Sequence, residues 1–270
     1  MGIFLGQEWG LSAGGNCDSL IAMSEAVPKG QLSVVVPMYN EAGTLGEVLG
    51  KILAQEMVGE VVLVDDGSSD KTAEVAAQWE AKEERVRFIQ HTHNQGKGAA
   101  LRTGFEGATK PYVIVQDADL EYDPEDFQKV IAPIANDEAD VVYGSRYLKK
   151  DTRRVLRFWH TMGNRFLTLL SNMMSDLHVT DMETCYKGFR REVIQAIHIE
   201  ENRFGFEPEV TAKLAKMKLR VMETSVAYYP RSYDEGKKIG VRDGFRAIWC
   251  ILRYNVLERN VTQWQRADDE

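Results

Sequence analysis

EVVLVDDGSSDKTAEVAAQWEAK, residues 60–82, contains a complete structural unit. The apolar run Val61–Val64 ends in Asp65 and Asp66, and Gly67 to Asp70 then supply turn and helix-cap chemistry ahead of a helical stretch over 70–84. A short, uninterrupted apolar run reads as a strand covered on both faces. The same unit recurs in both directions. QLSVVVP (31–37) precedes a helical stretch over 42–56, and RVRFIQ (85–90) precedes one over 97–108. PYVIVQD (111–117) precedes one over 124–135, and ADVVYG (139–144) closes the series. Alternation of this kind predicts an α/β fold, a mostly parallel, Rossmann-like sheet flanked by helices. Ligands of such sheets bind outside the carboxyl ends of the strands. Polar residues gather there: Pro37, Tyr39, Asn40 and Glu41 after the first strand, Asp65 and Asp66 after the second, and His91 to Lys97 after the third. Asp117 to Asp123 follow the fourth, and Gly144 to Arg146 the fifth.

The 270 residues, 44% hydrophobic and 27% charged, suffice for one large core, and a single domain is expected. Residues 1–30, rich in Gly, Ser and Ala and without a sustained period, read as a flexible N-terminal extension. Residues 31–240 form the catalytic domain in this reading, and 241–270 a C-terminal amphipathic helix with a polar tail. A net charge of −8 argues against nucleic acid as a partner while leaving room for a local basic patch. Cys17, Cys185 and Cys250 stand far apart with no zinc spacing, which fits a reducing cytoplasm. No apolar run approaches the roughly 20 residues needed to cross a bilayer, so a cytoplasmic protein, or one held peripherally on the cytosolic membrane face, is expected. Signal-peptide features are missing from the N-terminus, and Gly6 stands where a myristoylation signal needs Ser or Thr.

VQDADLEYDP, residues 115–124, places Asp117, Asp119, Glu121 and Asp123 within seven residues directly after a strand. Such a run is commonly a solvated loop. Here the period of two puts Asp117, Asp119 and Glu121 on one face if the extended conformation persists. Three unpaired carboxylates so placed repel one another, and a divalent cation removes that cost. Tyr122 and Gln128 occupy the positions an EF-hand gives to Gly and Glu, so an open Mg²⁺ or Mn²⁺ site completed by phosphate oxygens fits better. NQGKGAALRTGF (94–105) departs from both the Walker A and the GxGxxG patterns and reads more readily as a helix start than as a phosphate cradle.

VVVPMYNE, VDDGSSDKT, NQGKGAALRTGF, QDADLEYDP and YGSRY, in this order and spacing, resemble the catalytic domain of glycosyltransferase family 2, of GT-A fold. TDMETCYKGFRREV, FGFEPEV and YYPRSYDEGKKIG resemble its dolichyl-phosphate mannose synthase and polyprenyl-phosphate glucosyltransferase branch, over about residues 31–256. The resemblance implies a nucleotide-sugar donor held by Pro37, Tyr39, Glu41, Val64 and Asp66. It implies a DxD element, Asp117, Ala118 and Asp119, meeting the diphosphate, with Asp119 and Glu121 as metal ligands. Glu121 stands where relatives carry Gln. Arg146, Arg157 and Thr161 match positions that meet the acceptor phosphate, and Arg231 and Lys237 match groups that close over the donor. The implied reaction is inverting transfer of a hexose to a polyprenyl or dolichyl phosphate, with Asp119, Arg231 and Lys237 as the catalytic groups.

Departure of a diphosphate builds negative charge that a divalent ion and an Arg or Lys stabilise most in the transition state. A phosphate acceptor needs no base, whereas an alcohol acceptor does. The base candidates for a soluble or protein hydroxyl acceptor are Asp181 and Glu183 of TDMET, although acids at such turns often hold backbone groups instead. A non-catalytic sugar-nucleotide-binding subunit is the reading from another class. Arg153, Arg154 and Arg157 open a helical stretch reaching about Met174, with Phe158, Met162, Phe166, Leu169 and Leu170 on one face. That face suits either core packing or a surface for a lipid phosphate, and the final helix VRDGFRAIWCILRYNVLERN suits either core packing or a membrane interface. The segment Tyr229 to Gly240, with Gly236 and Gly240, reads as a lid over the donor.

Overall fold

The computed structural model describes residues 26–148, 155–231, 241–258 and 264. Strands β1 (Leu32–Met38), β2 (Val58–Asp65), β3 (Val86–Gln90), β4 (Tyr112–Val115) and β5 (Val141–Ser145) stand where the apolar runs placed them. Between them run α1 (Leu45–Leu53), α2 (Thr72–Lys82), α3 (Lys97–Gly107) and α4 (Phe127–Ala135). Leu45, Val48, Leu49 and Ile52 of α1 recur at helical spacing and are all buried, which fixes that helix on the sheet. The α4 region begins with a 3₁₀ turn, Pro124–Asp126, whose Asp123 side chain accepts from the Glu125 amide. After β5 come α5 (Phe158–Ser175), β6 (Lys187–Arg190), α6 (Arg191–Ala196), α7 (Phe206–Lys216), β7 (Val221–Ser225) and α8 (Val241–Leu252). A π-helical segment, Arg253–Leu257, continues α8.

The seven strands form one sheet in the order β3-β2-β1-β4-β6-β5-β7. β1, β2, β3 and β4 are mutually parallel, with Val34 opposite Val61 and Ile114. β6 runs antiparallel between β4 and β5, and β7 lies parallel to β5 at the edge. The carboxyl ends of β1 to β5 therefore share one rim. The sheet interior is almost wholly apolar, from Leu32 to Tyr143, and one continuous core joins it to the helices on its faces.

Candidate active site

The acidic turn after β4 dominates the rim. The extended backbone does not persist beyond Val115. Leu120 turns the chain in the left-handed region at φ +61°, and the Glu121 amide donates to Asp119 Oδ1 at 3.1 Å. The carboxylates are thus gathered by a turn and not by one strand face, and each has a different environment. Asp117 pairs with Lys97, whose Nζ lies 3.0 Å from Oδ1 and 3.5 Å from Glu207 Oε1. The Ala118 carbonyl accepts from Thr44 Oγ1 at 2.7 Å, tying the turn to the start of α1. Glu121 accepts from Tyr228 Oη and from the Arg231 amide, both at 2.8 Å. Asp119 has its carboxyl pushed up to about 7 by burial, then by the charges of Asp117 and Glu121. A partly buried acid crowded by two others is the environment a divalent ion relieves, so these residues could hold a divalent ion through Asp119 with Glu121 beside it. No ready-made cluster of three or more metal-ligating side chains occurs among the described residues.

Arg231 knits this turn to the β1 rim. Its Nε donates to the Asp119 carbonyl at 2.8 Å, and its guanidinium reaches Glu41 at 3.0 Å and 3.3 Å. Of the residues expected to hold the nucleoside, Tyr39 stands at the surface while Pro37 is buried within β1. The Val64 side chain packs with Val62, Ala100 and Ile89. Asp66 accepts from the Gln95 amide at 3.0 Å and the Gly96 amide at 2.6 Å, and hydrogen-bonds His91 Nδ1 at 2.9 Å. Three of the four acceptor positions of its carboxylate thereby hold the loop that leads into α3. A Cβ on Gly98 would stand 2.0 Å from the Glu201 carbonyl oxygen, and one on Gly96 (φ +107°) 2.3 Å from that of Asn202. The GKG glycines thus admit a neighbouring backbone, and the Ala99 amide donates to the Asn202 carbonyl at 3.1 Å. The opening of α3 is a packed helix start, as its sequence indicated.

Arg146 lies beyond β5 with its side chain only 8% exposed, and Asp181 opposite it is fully buried. Arg146 Nε and Nη2 each donate to Asp181 at 2.7 Å, a bidentate pair, and the guanidinium stacks over Tyr228 at 5.1 Å. Arg157 is exposed at the N-cap of α5, and Thr161 follows one turn later. Lys237, most of the proposed lid (232–240), Arg153, Arg154 and residues 1–25 of the N-terminal extension lie outside the described residues.

The profile of "Glycosyl transferase family 2" matches residues 33–197, which include β1 to β6, the acidic turn and the Arg146–Asp181 pair. The chain belongs to glycosyltransferase family 2. An uncharacterized protein of Methanocaldococcus jannaschii is 30% identical over 85% of this chain and 94% of its own. The undecaprenyl-phosphate mannosyltransferase of Micrococcus luteus is 27% identical over 83% of this chain and 94% of its own. Among solved structures, glucosyl-3-phosphoglycerate synthase of Mycobacterium tuberculosis superposes with a TM-score of 0.65 at 18% identity, covering 83% of this chain and 80% of that one. That likeness carries the fold.

Three groups of this glycosyltransferase had no assigned role from sequence. Lys97 bridges Asp117 and Glu207, and its signal was the GKG motif, whose lysine the helix-start reading left unused. Glu207, in FGFEPEV, is buried beside it. Lys187 is fully buried and donates to the carbonyls of Met182 and Thr184, fastening the TDMET turn from beneath. In that turn, burial and the charge of Glu207 push the Glu183 carboxyl up to about 8, and its Oε1 is covered without a hydrogen-bond partner. Burial alone would raise the Asp181 carboxyl, but the Arg146 guanidinium and its hydrogen bonds hold it below the ordinary value.

Proposed function

We propose that the protein transfers a hexose from a nucleotide sugar to a polyprenyl or dolichyl phosphate with inversion at the anomeric carbon, working peripherally at a membrane. The reading rests on one observation: the acids of the TDMET turn are withdrawn into the fold, one ion-paired and one covered. Asp181 is buried and ion-paired to Arg146. Glu183 Oε1 is covered without a hydrogen-bond partner, and burial with the charge of Glu207 pushes its carboxyl up to about 8. An alcohol acceptor needs a proton acceptor at this place, and a phosphate acceptor, already anionic, does not. Named relatives such as the M. luteus undecaprenyl-phosphate mannosyltransferase and the Pyrococcus furiosus dolichol-phosphate mannosyltransferase, 29% identical over 83% of this chain and 64% of its own, support the same acceptor class.

In this reading Tyr39, Glu41 and the backbone around Pro37, Val64 and Asp66 seat the nucleoside, and Asp117 and Ala118 line the diphosphate. A divalent ion held by Asp119 and Glu121 would supply Lewis-acid stabilisation of the departing phosphate oxygens. Arg231, already against the Asp119 carbonyl, adds a cation on the same side, with Lys237 assigned to the same closing segment. Arg157 and Thr161 receive the acceptor phosphate at the start of α5, while Arg146 shapes the wall behind them. The test is release of nucleoside diphosphate from UDP-glucose, GDP-mannose and UDP-N-acetylglucosamine, each with and without a short-chain polyprenyl phosphate. Stimulation of one donor by the lipid phosphate supports the reading. Equal release with a simple alcohol would overturn it.

A further inference from the structure

The edge that the β2 rim offers to a nucleoside is already nearly spent. In the sheet order β3-β2-β1-β4 the end of β1 lies one strand spacing from the acidic turn after β4, and the end of β2 lies two, about 10 Å away. Tyr39, 36% exposed, follows β1, and Asp66 follows β2 beside it, its amide donating to the Met38 carbonyl at 2.8 Å. A nucleoside running outward from a diphosphate at the acidic turn therefore passes Tyr39 and brings its base to Asp66. Among the described residues three donors occupy that carboxylate: His91 Nδ1 and the Gln95 amide on Oδ1, and the Gly96 amide on Oδ2. A carboxylate accepts only, so Nδ1 carries the imidazole proton. The loop 91–96 is not free to release these bonds to a ligand. Its His91 amide is held by the Asp65 carbonyl at 2.9 Å, and a Cβ on Gly67 would stand 2.7 Å from the His93 backbone packed against it. One acceptor position, on Oδ2, remains, and the Asp66 side chain is 4% exposed, an opening for a single contact.

A single open acceptor sorts the bases by their edges. Uracil presents one donor, N3–H, between two carbonyls. Guanine presents two side by side, N1–H and the N2 amino group, and a carboxylate serves both only with both oxygens open. Against Asp66 one of them stays unpaired beside the filled Oδ1. Cytosine and adenine bring a ring-nitrogen lone pair against the carboxylate, which repels it. Asp65, the neighbouring acid, supplies no second edge, because it is fully buried and accepts from the Ser68 amide and hydroxyl and from Gln90 Nε2. We propose that the base of the donor is a uracil-type imide, uracil or its 5-methyl form thymine, with N3–H donated to Asp66 Oδ2. His91 and the Gln95 amide, by filling Oδ1, exclude guanine. A buried polar edge of this kind discriminates strongly, because the wrong ligand leaves its groups unpaired. This selection rests on the nucleotide-sugar reading above and narrows it to a pyrimidine nucleotide donor.

The experiment is isothermal titration of the full chain, with Mn²⁺ present, by UDP, dTDP, CDP, GDP and UDP methylated at N3. UDP or dTDP should bind roughly tenfold or more tighter than CDP, GDP and the N3-methyl compound, as expected for one unpaired or opposed polar group at a buried carboxylate. The UDP and dTDP arms tell uracil from thymine. Asp66→Asn, which puts an amide in place of the carboxylate, should bring the ratio of UDP to CDP affinity, taken within one preparation, close to one. The N3-methyl arm uses the parent chain and so stands even where that variant fails to fold. GDP bound as tightly as UDP, N3-methyl UDP bound as tightly as UDP, or an unchanged ratio in a folded Asp66→Asn overturns the proposal. Turnover separates base selection from the acceptor reading. Tight GDP binding with release from GDP-mannose stimulated by polyprenyl phosphate overturns the base selection and keeps the acceptor. Selective UDP binding with no UDP-sugar stimulated by the lipid phosphate does the reverse, and binding of no nucleotide overturns both.

Discussion

Replacing Asp181 by alanine removes a fully buried carboxylate that accepts from the Arg146 amide at 3.0 Å, from Arg146 Nε and Nη2 at 2.7 Å, and from Asn164 at 3.1 Å. The guanidinium left behind is 8% exposed and has lost its counter-ion. Breaking one side of such a pair costs about 3 to 5 kcal/mol, most of it the desolvation of the orphaned charge. In a domain of this size that is a fall of roughly 6 to 20 °C in melting temperature. Asp181→Asn, which keeps the shape and an acceptor oxygen, should fall less. Asp181→Ala combined with Arg146→Met should recover part of the loss, because the uncompensated charge goes with the arginine. The assay is thermal unfolding by circular dichroism near neutral pH without nucleotide, alongside turnover measured well below the transition and expressed per folded molecule. A structural Asp181 predicts a large loss of stability in the alanine variant. An unshifted transition with abolished turnover would refute this, and would mean that Asp181 acts on an acceptor hydroxyl.

Asp119→Asn should cut turnover by at least roughly tenfold, about 1.4 kcal/mol of transition-state stabilisation, and near-normal rates in EDTA would remove the metal from the account. Arg157→Ala should lower kcat/KM for polyprenyl phosphate roughly ten- to hundredfold, as expected for one charge-assisted contact, while sparing donor hydrolysis by water. Arg157→Lys should rescue it only in part, and unchanged transfer in the alanine variant would place the acceptor elsewhere. Glu183 has its carboxyl raised from the ordinary 4.5 to about 8, so the folded chain holds a proton the unfolded chain releases, and stability falls as pH rises through that interval. Glu183→Gln, neutral throughout, should therefore gain in melting temperature relative to the parent as pH rises from about 5 to about 8, and parallel pH profiles would count against the buried, protonated acid.

The sequence by itself determined the parallel half of the sheet, because a strand such as Val61–Val64 is covered on both faces and writes its burial as an unbroken apolar run. It also determined that Tyr39, Asp66 and Asp119 gather on one rim, since they follow the carboxyl ends of those runs. Its family motifs brought the DxD turn, Glu41 and Arg231 into one account, although Glu41 and Arg231 are 190 residues apart and their ion pair is a tertiary fact. Strand β6 went unread: four residues, KGFR, with a glycine and no sustained alternation, pair antiparallel between β4 and β5 only because the sheet offers the gap. The period of two in DADLE suggested a shared strand face, but Leu120 breaks the extension and a turn does the gathering. For α5 the pattern of apolar residues was legible, but not its direction: Phe158, Met162, Phe166 and Leu169 are exposed. A helical period tells that one face is apolar; it does not tell which face the rest of the chain will claim. Here Asp181, Val179 and Met182 offered hydrogen bonds to Asn164, Asn172 and Thr168, and buried polar groups left unpaired cost more than exposed apolar ones. Periodicity is a property of neighbours along the chain, whereas orientation is settled by partners distant in sequence, and so the outward stripe of α5 became visible only in the folded molecule.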